Sequence, residues 1–180
     1  TYGHAWSFVS ATGGITASDV TIATPTAVAT TATVNTATDL TAPQTVTLRY
    51  TVSETGTSAG CADATADVTF TINPLPTAAI AATPNAVCLN SAITLDGTAA
   101  GGSGAGYTYA WSITGGTGAG NFEGSATSTM EDPSFTGTTP GTVNVQLVVT
   151  DGGGCVSKAA THTVTVNPLP TADITPNTPT

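Results

Sequence analysis

The feature that most constrains this chain is an internal repeat. Asn73-Pro74-Leu75-Pro76-Thr77-Ala78 returns as Asn167-Pro168-Leu169-Pro170-Thr171-Ala172, 94 residues later. Cys61 and Cys155 keep that spacing, as do Thr69 with Thr163 and Thr71 with Thr165, while Phe70 meets Val164 and Ile72 meets Val166. Upstream, Pro43-Gln44-Thr45-Val46 aligns with Pro140-Gly141-Thr142-Val143 at a spacing of 97, and Ala5-Trp6-Ser7 aligns with Ala110-Trp111-Ser112 at 105. Loops of different length produce such drift, and surface loops tolerate it. A unit of this size suits a small β-sandwich. In this register residues 1–74 are expected to be the later part of one unit, lacking its first two strands. Residues 75–168 form one complete unit, and residues 169–180 open a further repeat or act as a donor strand. This phase reads either as a slice of a longer chain or as strands shared between neighbours. The opening Thr1-Tyr2-Gly3 lacks Met and a basic-then-apolar leader, so it reads as a mature or excised segment.

Composition excludes several functions. Only 7% of the residues are charged, against about 25% in an ordinary soluble domain. Arg49 and Lys158 are the only cations, and the formal net charge is -9. Nucleic-acid binding needs a basic face that two cations cannot make, and an anionic membrane surface is a poor partner for the same reason. No stretch reaches the roughly 18 apolar residues of a membrane helix. Disorder is disfavoured too, because the chain is 39% hydrophobic and rich in Val, Ile and Thr. Those β-branched residues suit a pleated surface. The 11 Pro and 20 Gly oppose long helices.

The complete unit resolves into short strands. Residues 78–82 can open it, and residues 92–96 alternate apolar and polar. Tyr107, Tyr109, Trp111 and Ile113 fall on one face of the next strand. Phe122 and Phe135 are placed on short strands, and Val143, Val145, Leu147 and Val149 line one face of a long one. Asp151-Gly152-Gly153-Gly154 is a turn, and residues 156–166 return from it. About seven short strands with frequent turns indicate an antiparallel sandwich.

Tyr109-Ala110-Trp111-Ser112, Pro133-Ser134-Phe135, the run from Pro140 to Asp151 and Gly154-Cys155 together resemble the PKD-like immunoglobulin-fold repeats of bacterial surface proteins. The variety with Cys88 before a strand and Gly154-Cys155 in the last turn looks like repeats of very large secreted proteins of the Bacteroidetes group. The first unit departs from the pattern, with Glu54 in place of the Asp and a longer Thr/Ala-rich stretch. The resemblance implies an all-β fold of tandem immunoglobulin-like (PKD-like) antiparallel sandwiches. Trp6 and Trp111 in the middle strand are then core residues, not sugar platforms, and Tyr109, Val145 and Leu147 join them.

Three Cys in an extracellular-looking chain suggest disulfides. Cys88 with Cys155 is the pair inside the complete unit, and it leaves Cys61 without a partner. Against that pairing, Cys88 and Cys155 are expected at opposite ends of the sandwich, about 20 Å apart at roughly 3.3 Å per residue. A disulfide needs Cα atoms within about 7 Å. Bridges to adjacent repeats across the Pro joint, and reduced thiols, stay open as alternatives.

Little catalytic chemistry is visible. His4 takes the slot of Tyr109, and His162, aligned with Val68, is expected at the surface or an edge. Neither has metal-ligand spacing, and no nucleophile elbow or phosphate loop occurs. Glu131-Asp132 is the one candidate calcium site, unsupported by any repeated D-x-D pattern. Lys158 is the sole candidate for an isopeptide crosslink. No cofactor is expected.

The expected function is that of a non-enzymatic structural repeat in an extracellular, cell-surface adhesin or filament. Its partners are neighbouring repeats of the same protein, as a homo-oligomer or filament, with no nucleic acid and no membrane insertion. Pro74, Pro76, Pro168 and Pro170 make the joints semi-rigid. Strand exchange between subunits would use residues 171–180 as donor. The alternatives are a spacer in a secreted hydrolase and, last, a carbohydrate-binding module.

Overall fold

The computed structural model describes residues 1–35, 39–56, 61–81 and 85–174. Residue 82 of the expected opening strand and residues 175–180 of the expected donor lie outside the described residues. The chain divides into two compact units, Thr1–Leu75 and Pro76–Thr180. Among the described residues the only helical element is a 3-10 turn at Ala17–Asp19. No helix among them is long and apolar enough to cross a membrane.

Unit 1 contains β1 (Tyr2–Ala11), β2 (Val20–Ile22), β3 (Ala32–Val34), β4 (Gln44–Glu54) and β5 (Ala64–Ile72). Strands β1, β4 and β5 form one antiparallel sheet in that order, and β2 pairs with β3 in a separate ribbon. Alternation decides the faces of β4. Val46 and Leu48 are buried, while Thr45, Thr47, Arg49 and Thr51 occupy the other side. There the hydroxyls of Thr47 and Thr69 lie 2.8 Å apart, and Arg49 grips Asp67 through two contacts of 2.7 and 2.8 Å. Cross-strand pairs of this kind fix register. The core of unit 1 is small: Ile15, Val46 and Leu48 are buried, with Trp6, Phe8, Val20, Ile22, Phe70 and Ile72 packed against them.

Unit 2 contains β6 (Pro76–Ala81), β7 (Ala86–Cys88), β8 (Ala92–Thr94), β9 (Asp96–Gly101), β10 (Thr108–Gly116), β11 (Ala119–Phe122), β12 (Thr127–Ser128), β13 (Ser134–Thr139), β14 (Gly141–Thr150) and β15 (Ala160–Asn167). One sheet runs β12-β10-β14-β15-β7, with β7 parallel to β15 and the other pairs antiparallel. The facing layer consists of β11-β13-β8 and the pair β6-β9. Val143, Val145, Leu147 and Val149 of β14 are each fully buried, as the period of two requires. They meet Leu95, Phe122, Phe135, Val164, Val166 and Trp111. Phe122 and Phe135 stack edge to face with centroids 5.8 Å apart, a favoured geometry for aromatic pairs. Gly97 is needed for this closure, because a Cβ there would stand 2.8 Å from the Trp111 ring and 2.6 Å from the Glu131 carbonyl oxygen.

The main sheets of the two units share one cross-strand register. Trp6 faces Tyr50 and Leu48 faces Val68 in unit 1. Trp111 faces Leu147 and Val145 faces His162 in unit 2. These pairs fall on the spacings of 105, 97 and 94 residues that the repeat shows.

Candidate functional site

The most organised polar centre lies at one end of unit 2. The buried Asp151 carboxylate accepts main-chain N–H groups from Ser103 at 2.8 Å, Gly153 at 2.9 Å and Cys155 at 2.9 Å. These donors, Ser103 first, hold the carboxyl below its ordinary range. Gly102 has a φ of 60°, and a side chain there would run into Asp151. Asp151 therefore ties the loop after β9 to the turn after β14. The sequence showed only a turn at this place. Asp ahead of three glycines was the available signal, since Asp bonds its own backbone two residues on.

Tyr109 and Trp111 anchor a second centre on β10. The Trp111 indole N–H donates to the carbonyls of Met130 at 2.9 Å and Glu131 at 3.2 Å. The Tyr109 hydroxyl donates to Glu131 Oε1 at 2.8 Å, and the Gly97 N–H donates to Asp132 Oδ1 at 3.0 Å. Partial burial and the neighbouring Glu131 push the Tyr109 phenol up to about 12. The two carboxylates proposed for calcium thus serve different structural partners. Among the described residues no group of three or more His, Cys, Asp or Glu is placed to hold a metal ion.

The core residues named from sequence come together in unit 2: Trp111, Val145 and Leu147 are buried, and Tyr109 packs at their margin. Trp6 is only half-buried, packed against Val46 and Leu48, with its indole N–H donating to the Ala27 carbonyl at 3.1 Å. Pro76 is buried at the start of β6, Pro74 is buried just before it, and Pro168 and Pro170 are exposed after β15.

The Cys88–Cys155 bridge is not formed: Cys61, Cys88 and Cys155 are all free thiols. Topology explains this. Cys88 pairs with Asn167 at the end of β15, whereas Cys155 lies in the turn before β15 begins. The eight residues of β15 hold them about 25 Å apart at roughly 3.3 Å per residue, far beyond disulfide reach.

His162 corrects the sequence expectation. It sits opposite Val145 on the core-facing side of β15, with Nε2 buried and without a hydrogen-bond partner. His4 stacks on Tyr50 with centroids 5.8 Å apart, and its Nδ1 lies 2.6 Å from the Tyr50 hydroxyl. Lys158 is exposed between β14 and β15 rather than within a strand.

Trp6, Thr30, Ala32, Leu48, Val68 and Phe70 line an open cleft of about 260 Å³.

Two packed layers, with Trp111 of β10 buried between them, define unit 2 as an immunoglobulin-like sandwich. The PKD domain family matches residues 73–166, just over half of the chain, and the chain belongs to that family. No curated protein matches it. Among solved structures it is similar to the S-layer protein SbsC domains 4 and 5. That likeness has 13% identity over 92% of this chain and 70% of that one, with a TM-score of 0.38.

Proposed function

We propose that this chain is a non-catalytic structural segment of an extracellular array of immunoglobulin-like units, in an adhesin or filament at a bacterial surface of the Bacteroidetes type. In this reading residues 1–74 are the later part of one unit, residues 75–168 a whole unit and residues 169–180 the opening of another. The observation that carries it is the shared register, Trp6 on Tyr50 and Leu48 on Val68 against Trp111 on Leu147 and Val145 on His162. Two sheets that keep such pairs at the spacings of a sequence repeat support repeated units of one design. The low charge supports work outside the cell, where such units pack beside one another with little repulsion. Polar side chains of the organised centres are consumed in holding loops and indoles, which supports a mechanical role over a chemical one.

The test is brief protease treatment of intact cells that make the protein, followed by peptide mapping of what is released. Peptides of this chain, contiguous with further copies of the Asn-Pro-Leu-Pro-Thr-Ala joint, are expected in the released fraction. Recovery only after lysis, or a neighbouring enzyme domain with no further copies, would overturn the reading.

A further inference from the structure

Unit 1 leaves partly exposed an apolar face whose counterpart within unit 2 is buried. In unit 2, β6 lies over β14 and β15. Its alternate residues Pro76, Ala78 and Ile80 are the less exposed ones, and Ala78 and Ile80 pack on the core. Beneath them Val164 and Val166 are fully buried. Phe70 and Ile72 hold the same places in unit 1, yet they are only half-buried, and Val68 is 46% exposed. Val68 and Phe70 line the cleft together with Trp6, Thr30, Ala32 and Leu48. Strand β5 is also a sheet edge, where β15 is flanked by β7.

A second segment of the chain has the pattern of β6. Residues 169–174 read Leu-Pro-Thr-Ala-Asp-Ile, against Leu-Pro-Thr-Ala-Ala-Ile at 75–80. Residues 169–174 lie outside any strand and are exposed throughout, Ile174 at 89%. Their apolar members Pro170, Ala172 and Ile174 recur at every second residue, so an extended backbone puts them on one face. A segment with one apolar edge in water and a sheet face left partly exposed are complementary surfaces.

We propose that residues 170–174 of one copy of this chain dock across β4 and β5 of unit 1 in a second copy. Pro170, Ala172 and Ile174 then take the places that Pro76, Ala78 and Ile80 hold over β14 and β15 within unit 2. The contact repeats one that the molecule already makes, with the same Pro, Ala and Ile on the donor side and apolar Phe70 and Ile72 in the places of Val164 and Val166. Donor and acceptor are different surfaces, so the association is heterologous and head to tail, and it grows into open oligomers. This inference concerns the isolated chain in solution and stands apart from where the protein works.

Light scattering on the eluted chain, in reductant and over a wide concentration range, tests it. Masses rising in multiples of the chain with concentration are expected. Ile174→Asp changes a residue that is 89% exposed, so it is expected to leave the thermal melt unchanged and abolish the oligomers. Val68→Asp is expected to abolish them from the acceptor side. A monomer at every concentration overturns the proposal. Oligomers that survive Ile174→Asp overturn it too, including the case where Val68→Asp alone disperses them. The surface-exposure result above is independent of all these outcomes.

Discussion

Trp6 and Trp111 occupy the same place in two sheets, and each indole N–H reaches a carbonyl about twenty residues ahead, Ala27 for Trp6 and Met130 for Trp111. Their surroundings differ. Trp111 is 1% exposed, enclosed by Gly97, Phe122 and Leu147. Trp6 is half-buried, packed on Val46 and Leu48 with a tilted contact to Tyr50 at 4.8 Å, and it borders an open cleft. Trp111→Ala is therefore expected to cost about 3–5 kcal/mol, the range for a fully enclosed Trp. Trp6→Ala is expected to cost less than half as much, since less of its surface leaves water. Urea unfolding of the two variants measures both, and equal losses would refute this account of the packing. Single-Trp proteins give a second check: acrylamide should quench Trp6 and spare Trp111.

Gly97 makes the second expectation. A methyl group there meets the Trp111 ring at 2.8 Å and the Glu131 carbonyl oxygen at 2.6 Å. Neither can yield freely, because the same indole is bonded to Met130 and Glu131. Gly97→Ala is expected to destabilise unit 2 by about 1–3 kcal/mol through overpacking. A thermal melt unchanged by the substitution would show that the facing layer gives way more easily than this geometry allows.

Asp151 should make unit 2 sensitive to acid. Its carboxyl is lowered in the folded state by the Ser103, Cys155 and Gly153 N–H groups, against about 3.9 in an unfolded chain. A lowered folded value means that the stabilisation is complete above the unfolded pKa and lost as pH falls through the folded one. Asp151→Asn replaces an all-acceptor group by one that is half donor. It is expected to lower the melting temperature at pH 7, and the gap from the parent should close as pH drops below about 4. A gap that stays constant with pH would refute the carboxylate's role.

Much of the fold was legible in the sequence because it rests on period-two patterns. Val143, Val145, Leu147 and Val149 alternate without interruption, and all four are buried. Trp111 and the two Phe strands were likewise readable. What escaped was anything set by contacts between distant loops. Asp151 looked like an ordinary turn residue, because its partner Ser103 is 48 residues away. His162 looked like a surface residue, because polarity suggested exposure while register against Val145 turned it inward. The obstacle to a Cys88–Cys155 bridge, by contrast, was legible: the two were expected at opposite ends of the sandwich, and the length of β15 keeps them apart. The open cleft of unit 1 was legible in outline, since residues 1–74 were expected to lack two strands, and Trp6 is left only half-buried.

Thiol chemistry follows from that topology. Cys61 and Cys88 are exposed and Cys155 is partly covered, its N–H held by Asp151. A maleimide reagent is expected to modify Cys61 and Cys88 rapidly and Cys155 more slowly. Under mild oxidant the folded chain should yield no Cys88–Cys155 peptide on non-reducing mapping, since the thiols cannot approach within the required distance. Recovery of that peptide from folded protein would mean that β7 leaves the edge of β15.

Tyr109 sets an alkaline limit. Its phenol is pushed up to about 12 by burial first, then by the bond to Glu131, against about 10 unfolded. A raised folded value gives stabilisation that is whole below the unfolded pKa and lost as pH rises through the folded one. Unit 2 should therefore weaken between about pH 10 and pH 12 as the ionised phenolate is driven out of its place beside Glu131. Tyr109→Phe removes the titrating group together with one partly exposed hydrogen bond. It is expected to lower stability slightly at pH 7 and to flatten the loss above pH 10. Urea unfolding along an alkaline series measures the slope directly. If the Phe protein loses stability as steeply as the parent, the alkaline transition belongs to another group and Tyr109 is only packing.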